Sequence, residues 1–80
     1  MTDETTTDYL WDLVDLLKRS AREARAKLSD LPAGGDQAFE SGRVTAYYEV
    51  ISLMQQQAVA FGIGLDDIGL DDINPERDLL

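Results

Sequence analysis

Residues 10–31 read LWDLVDLLKRSAREARAKLSDL, and the spacing of their apolar side chains predicts one long amphipathic helix. Seven of these side chains recur at intervals of 4, 3, 4, 3, 4 and 3 residues: Leu10, Val14, Leu17, Ala21, Ala24, Leu28 and Leu31. A mean interval of 3.5 residues is the period of helices that pack side by side. The stretch therefore predicts a first helix over about residues 8–31, with Thr6 or Thr7 as its N-cap.

The next stretch predicts a turn and a second helix. Residues 31–36 read LPAGGD, and a proline followed by two glycines ends a helix and reverses the chain. We predict a turn over residues 32–36, Asp36 as the next N-cap and a second helix over about 37–61. If Gly42 lies inside that helix, close packing against the first helix is the simplest reason. The second apolar seam has intervals of 3, 4, 3, 4 and 3 residues: Val44, Tyr47, Ile51, Met54, Ala58 and Phe61.

A short turn between two long helices makes them antiparallel neighbours. The sequence therefore predicts an all-α fold, an antiparallel two-helix hairpin, in a single domain of residues 1–80. Gly62 is expected to close the second helix in the left-handed conformation, and residues 62–80 form a short acidic extension. Further apolar side chains lie beside the seams, and the two helices of one hairpin cannot shield all of them from solvent: Trp11, Leu13, Leu16, Val50 and Leu53. A dimeric four-helix bundle, wrapping by the extension, and docking on a partner are all open ways of covering them.

The acidic extension contains a tandem repeat. Residues 64–73 read GLDDIGLDDI, the same five residues twice, and Asn74-Pro75 is expected to stop any helix before it. In one interpretation the leucines and isoleucines pack on the hairpin. In a second, the segment is an acidic and apolar recognition element that folds on a partner. A third, calcium binding, is disfavoured because the alternating Asp pattern and distal Glu of a calcium loop are missing.

The charge balance favours a basic partner. The chain has 80 residues, with 16 acids against 7 bases and a net charge of −9, which argues against direct binding to nucleic acid or to an anionic membrane. A neutral alternative is that the acidity only keeps the protein in solution. Five bases lie in the second half of the first helix: Lys18, Arg19, Arg22, Arg25 and Lys27. They predict either a phosphate-binding patch or, as we favour, dipole and salt-bridge contacts with the acidic extension folded over them.

Several kinds of chemistry are disfavoured by the residue types. The chain has no Cys and no His, so it lacks disulfides, the usual transition-metal ligands and the commonest general base. Its Ser and Thr hydroxyls have no recognisable base near them in sequence. We therefore predict no enzyme, no cofactor and no metal site. The chain begins without the features of a signal peptide and has no apolar run of about 18 residues, so we predict a cytoplasmic protein without a membrane span.

In size, acidity, helical content and lack of catalytic residues, the chain resembles small phage-encoded inhibitors, including anti-CRISPR proteins and other DNA mimics. The resemblance covers the overall character of residues 1–80 and not a motif. It implies a protein-binding inhibitor that blocks a basic nucleic-acid-binding machine, such as a CRISPR surveillance complex. The five bases and the largely uncharged second helix depart from a pure DNA mimic and indicate both apolar and acidic contacts. Candidate partner-binding residues come from the repeat and from two aromatic positions: Asp66, Asp67, Asp71, Asp72, Trp11 and Tyr48.

Two other functions fit the sequence. A bacterial helical hairpin acting as a structural or regulatory module would homodimerise, and its acidic face would only keep it soluble. A helix-in-groove adaptor would use Tyr47, Tyr48 and Trp11 as anchors.

Overall fold

A computed structural model describes residues 3–80 of the chain. Helix α1 spans Asp3–Asp30, helix α2 spans Gly35–Ala60, a 3₁₀ helix spans Leu65–Ile68 and helix α3 spans Pro75–Leu79. The two long helices pack against each other, and the described part of the chain contains no strand. The predicted all-α helical hairpin with an acidic C-terminal extension is therefore confirmed.

The two predicted seams form the centre of the hairpin. Three residues from each seam are buried: Val14, Ala21, Ala24, Val44, Ile51 and Ala58. The other seam residues are half-buried, with the exception of Phe61, whose side chain is 75% exposed. Phe61 is the C-cap of α2, directly before the turn at Gly62, and its assignment to the core was wrong.

The beginning of α1 differs from the prediction. The helix starts at Asp3 and not near residue 8, so Thr6 and Thr7 lie inside it and neither is its N-cap. The carboxylates of Glu4 and Asp8 in the first two turns interact favourably with the positive end of the helix dipole. This interaction helps the helix to continue through the three threonines that precede the apolar seam.

The turn between the long helices is shorter than predicted. Residues 31–34 connect them, and the N-cap of α2 is Gly34 rather than Asp36, with a φ of 155° that is in practice open only to glycine. Asp36 lies in the first turn of α2, where its negative charge interacts favourably with the positive end of the helix dipole. Gly42 is exposed, and a Cβ built on it would have no neighbour within 4 Å. Close packing therefore does not explain this glycine.

The acidic extension packs on the hairpin, as the first interpretation of the repeat predicted. Leu70, Ile73 and Leu79 are buried in the same core cluster as the helix seams. Asn74-Pro75 does not stop a helix but starts one. The Asn74 side chain caps α3 by accepting a hydrogen bond of 3.1 Å from the backbone N–H of Arg77. Proline is favoured in the first turn because the backbone N–H that it lacks has no helical partner there.

Polar contacts fix the extension to α1. The Lys18 ammonium, on a residue that is 8% exposed, donates to the Gly69 carbonyl oxygen at 2.6 Å and to Asp72 Oδ1 at 2.8 Å. One turn further along α1, Arg22 donates to the carbonyl oxygen of Asp72 at 3.2 Å. The acidic extension is therefore folded over bases of the first helix, as the structural interpretation of those bases predicted.

A second set of contacts fixes the extension to α2. The Gln55 side-chain amide donates to the carbonyl oxygens of Leu70 and Ile73, at 3.1 and 2.9 Å. Tyr48 Oη donates to Glu76 Oε1 at 3.2 Å. We call the side of the hairpin that carries these contacts the tail flank.

Apolar side chains beside the seams remain open to solvent. Their exposure lies between 36% and 60%: Trp11, Leu13, Leu16, Val50 and Leu53. The prediction that one helix of the hairpin cannot shield these side chains on the other is therefore confirmed. The extension contacts Trp11 and still leaves it partly exposed. The molecule is elongated, with extents of 47 × 22 × 16 Å. Among the described residues, no helix combines the length and the apolar character that crossing a bilayer requires.

Candidate functional site

An apolar cleft lies at the open end of the hairpin, where the first half of α1, the end of α2 and the 3₁₀ helix meet. Its volume is about 300 Å³, at the lower end of the range for binding pockets. Six apolar residues and one glutamine line it: Leu10, Met54, Gln57, Ala58, Phe61, Ile63 and Ile68. We refer to these residues as the apolar cleft.

Gly62 creates one wall of the apolar cleft. Its φ of 72° lies in the left-handed region, as the sequence predicted. The Gly62 N–H donates to the Val59 carbonyl oxygen at 3.0 Å, and the Ile63 N–H donates to the Ala58 carbonyl oxygen at 2.8 Å. This pair of bonds is the Schellman motif that ends many helices. It turns the chain back towards the hairpin and places Ile63 at the cleft.

Trp11 lies beside the apolar cleft. Its neighbour Leu10 lines the cleft, and its indole Nε1–H donates to the carbonyl oxygen of Asp67 at 2.9 Å. The ring also packs against Gly69, where a Cβ would lie 3.1 Å from the nearest ring carbons. Trp11 nevertheless stays 45% exposed. A large aromatic side chain held in place by its own protein and still open to solvent is typical of a binding anchor.

Carboxylates surround Trp11. On α1, Asp8 and Asp15 lie three residues before and four residues after it, the two spacings that make helix surface neighbours. Only Asp15 of these two has an ion pair among the described residues, at 2.8 Å to Arg19. On the 3₁₀ helix, Asp66 and Asp67 are exposed. We call these four residues the acidic rim, and together they make the surface around Trp11 electronegative.

The structure separates the six predicted partner-binding residues. Trp11, Asp66 and Asp67 meet beside the apolar cleft. Asp72 is held by Lys18, whose hydrogen bond lowers the pKa of this carboxyl. Tyr48 lies on the tail flank near α3, where the charge of Glu76 raises the pKa of its phenol.

Asp71 lies in a third location. It is exposed and borders a polar depression formed by the second repeat and α3, together with Asp72 and Arg77. The two halves of the repeat therefore point their first aspartates, Asp66 and Asp71, to different parts of the surface.

The sequence interpretation missed four residues of the apolar cleft. It placed Phe61 in the helix seam, it assigned no role to Gln57 or Ile63, and it treated Ile68 only as a residue of the tail. The glycine that follows Phe61 is the sequence signal that could have found them. A left-handed glycine turns the chain back, so apolar residues on both sides of it are brought close together.

The five bases of α1 all have contacts within the protein. Lys18 and Arg22 hold the extension, and Arg19 pairs with Asp15. Arg25 donates to Ser29 Oγ at 2.7 Å, and Lys27 lies 3.3 Å from the buried carboxylate of Glu40. These contacts favour the structural role of the bases over a phosphate-binding patch. Among the side chains that the structure describes, those of residues 4–80, no three acidic groups lie close enough together to hold a metal ion.

The fold and the site together define an all-helical hairpin with an apolar cleft at its open end and exposed carboxylates around the neighbouring Trp11. Comparison of the chain with protein-family models, with curated proteins and with solved structures gives no significant match.

Proposed function

We propose that the protein binds a basic partner protein and acts without catalysing a reaction. The apolar cleft takes an apolar side chain of the partner, and the acidic rim contacts Lys or Arg residues beside it. The observation that carries the proposal is the position of Trp11, Asp66 and Asp67, which lie next to the lining residues Leu10 and Ile68 beside an open apolar cleft. The cleft is lined by hydrocarbon and one amide, which supply no acid, base or nucleophile.

The two kinds of contact have different roles in binding. Buried aromatic and aliphatic anchors give most of the affinity of a protein interface, and Trp11 and Phe61 provide such surface here. Exposed carboxylates mainly accelerate association with a positively charged partner and fix its orientation. A net charge of −9 on 80 residues extends that attraction beyond the site. We therefore expect the association rate to fall steeply as salt is added.

Within this class we propose an inhibitor of a nucleic-acid-binding machine, with a CRISPR surveillance complex as the specific target. The support is the charge and the size of the protein. Channels that bind DNA or RNA present clustered Lys and Arg, and a compact acidic surface can occupy such a channel and exclude the nucleic acid. The apolar cleft adds contacts that a phosphate backbone does not offer, which would make the inhibitor specific for one protein.

A capture experiment tests the binding proposal. The immobilised protein is incubated with bacterial lysate, and bound proteins are eluted with increasing salt and identified by mass spectrometry. We expect one basic protein, retained by the wild type and by Asp71→Lys. We expect its loss with Phe61→Ser, and retention at least about tenfold weaker with Asp66→Lys. Asp71 is the matched control because it is the corresponding residue of the second repeat and lies away from the cleft.

Retention that is equal for the wild type and Phe61→Ser would contradict the proposed site. The specific target is tested separately, by measuring how much target DNA a purified CRISPR surveillance complex binds with and without the protein. Unchanged DNA binding would rule out that target and leave the cleft to another basic protein.

A further inference from the structure

A second surface of the hairpin is apolar, uncharged and uncovered. The extension contacts α1 through Trp11, Lys18 and Arg22, and α2 through Tyr48 and Gln55. Residues two positions away from these lie about 200° around the helix, on the opposite side. Six such residues form what we call the free flank: Leu13, Leu16, Ser20, Ala46, Val50 and Leu53.

The antiparallel register brings the six residues of the free flank together. Lys27 pairs with Glu40 near the turn, and Leu10 and Ala58 line the same cleft at the open end. Between these two fixed points, Leu16 lies level with Val50. Leu13 is then level with Leu53, and Ser20 with Ala46. The free flank is therefore one continuous patch across both helices.

We infer that a second copy of this chain packs on the free flank and completes a four-helix bundle. None of the six residues carries a charge, so the basic partner proposed above finds no carboxylate within this patch, whereas another uncharged surface fits it. The inference does not depend on the proposed function, because the apolar cleft and the acidic rim are not part of the free flank.

The exposed area suits a dimer. Leu13, Leu16, Val50 and Leu53 are 36%, 49%, 43% and 60% exposed, and the adjacent Tyr9 is 67% exposed. Together with Tyr9 they present on the order of 500 Å² of surface, which lies within the range of the largest apolar patch on a typical monomer, and such patches are often functional. With the smaller residues around them, this approaches the roughly 800 Å² that each partner buries in a stable complex.

The shape of the free flank is self-complementary. Large residues occupy one end, with Leu13 beside Leu53, and small residues occupy the other, with Ser20 beside Ala46. A twofold axis near Leu16 and Val50 sets the large end of one copy against the small end of the other. The single chain has a radius of gyration of 14.3 Å, whereas a compact chain of this length has roughly 12 Å. Pairing of two copies would bury part of the surface that this elongated shape exposes.

Sedimentation velocity over about 1 to 200 µM protein tests the inference. We expect a dimer for the wild type. Leu16→Asp and Leu53→Asp should each weaken dimerisation at least about 100-fold, because each places a carboxylate in the apolar interface. The matched control is Val59→Asp, since Val59 is 71% exposed and lies outside the free flank. Circular dichroism verifies that each variant keeps its helices.

A cysteine near the proposed twofold axis gives a second readout. The chain has no Cys, so Leu16→Cys introduces a single thiol that should form a disulfide between copies on oxidation, whereas Val59→Cys should not. A monomeric wild type over the whole concentration range would overturn the inference, as would a Leu16→Asp variant that stays dimeric. Phe61→Ser, which tests the proposed function, should remain a dimer, so failures of the two proposals are distinguishable.

Discussion

The ammonium nitrogen of Lys18 lies 2.8 Å from Asp72 Oδ1, although 54 positions separate the two residues in sequence. The two ends of this ion pair differ in environment, since the Lys18 side chain is 10% exposed and the Asp72 side chain 58%. The same ammonium donates to the carbonyl oxygen of Gly69 at 2.6 Å. Because the hydrogen bond to Gly69 is buried, it should stabilise the folded state more than the ion pair with the exposed Asp72 carboxylate does.

Lys18→Met should destabilise the protein by about 1–3 kcal/mol, because it leaves the buried Gly69 carbonyl oxygen without its donor. The control is Arg19→Met, which removes an exposed pair with Asp15 and should change the free energy of unfolding by no more than about 1 kcal/mol. Urea unfolding followed by circular dichroism measures both. Equal effects of the two variants would show that the Lys18 contacts do not fix the extension.

Gly69→Ala should destabilise the protein for two reasons. The φ of Gly69 is 73°, and a Cβ there would lie 3.1 Å from Cε3 and Cζ3 of Trp11. The left-handed conformation alone costs a non-glycine residue about 1–2 kcal/mol. Gly42→Ala is the opposite case, because Gly42 is helical with open space around it, and it should stabilise by about 0.5–1 kcal/mol. Thermal unfolding of both variants should show melting temperatures that move in opposite directions.

The two leucines of the repeat allow a matched comparison. Leu70 is 1% exposed in the core cluster, whereas Leu65 is only half-buried beside it. Leu70→Ala should cost about 2–4 kcal/mol and Leu65→Ala about half of that or less. Denaturant titrations give the two free energies of unfolding. If Leu70→Ala lowered the free energy of unfolding by less than Leu65→Ala does, the extension would not be part of the core in solution.

Acid should weaken the fold between about pH 4 and pH 2. The pKa of Asp78 is lowered from 3.8 to about 2, mainly by hydrogen bonds from the Arg77 side chain and from the Asn74 backbone N–H. A carboxyl whose pKa is lower in the folded state stabilises that state above its unfolded pKa. This stabilisation is lost as the pH falls through the folded value. The lowered pKa of Asp72 acts in the same direction.

Asp78→Asn tests this pH dependence. As the pH is lowered from 4 to 2, the denaturant concentration that half-unfolds the wild type should decrease. For the variant, this concentration should decrease less over the same pH interval. Glu49→Gln is the control, because Glu49 is exposed on α2 and has no ion pair among the described residues. Parallel curves for the wild type and Asp78→Asn would assign the acid sensitivity to other carboxyls.

The hairpin could be predicted because its cause is local. Apolar residues every 3.5 positions on two stretches, with Pro32, Gly34 and Gly35 between them, satisfy the requirements of helix packing without information from the rest of the chain. The errors lie at the helix ends, where several weak preferences compete. Thr6, Thr7 and Asp36 are good capping residues, but each lies in a stretch where the helix gains more by continuing.

The path of the extension could not be predicted, because identical residues are used differently in the two halves of the repeat. Asp67 accepts a hydrogen bond from the Gly64 N–H at 3.2 Å and helps to form the 3₁₀ helix. Asp72, its equivalent five residues later, binds Lys18. The difference comes from the surface that each half contacts, and a repeated sequence contains no information about that surface. For the same reason the apolar cleft, which forms between distant segments, was not found.

The indole of Trp11, in contact with Gly69 and bonded to the carbonyl oxygen of Asp67, is the single tryptophan of the chain. Its emission spectrum therefore reports one location without interference from a second indole. Release of the C-terminal segment would shift the emission to longer wavelength, and contact with a partner at the open end would quench it or shift it to shorter wavelength. The molecule thus contains its own optical probe, and titrations can be followed without attaching a dye.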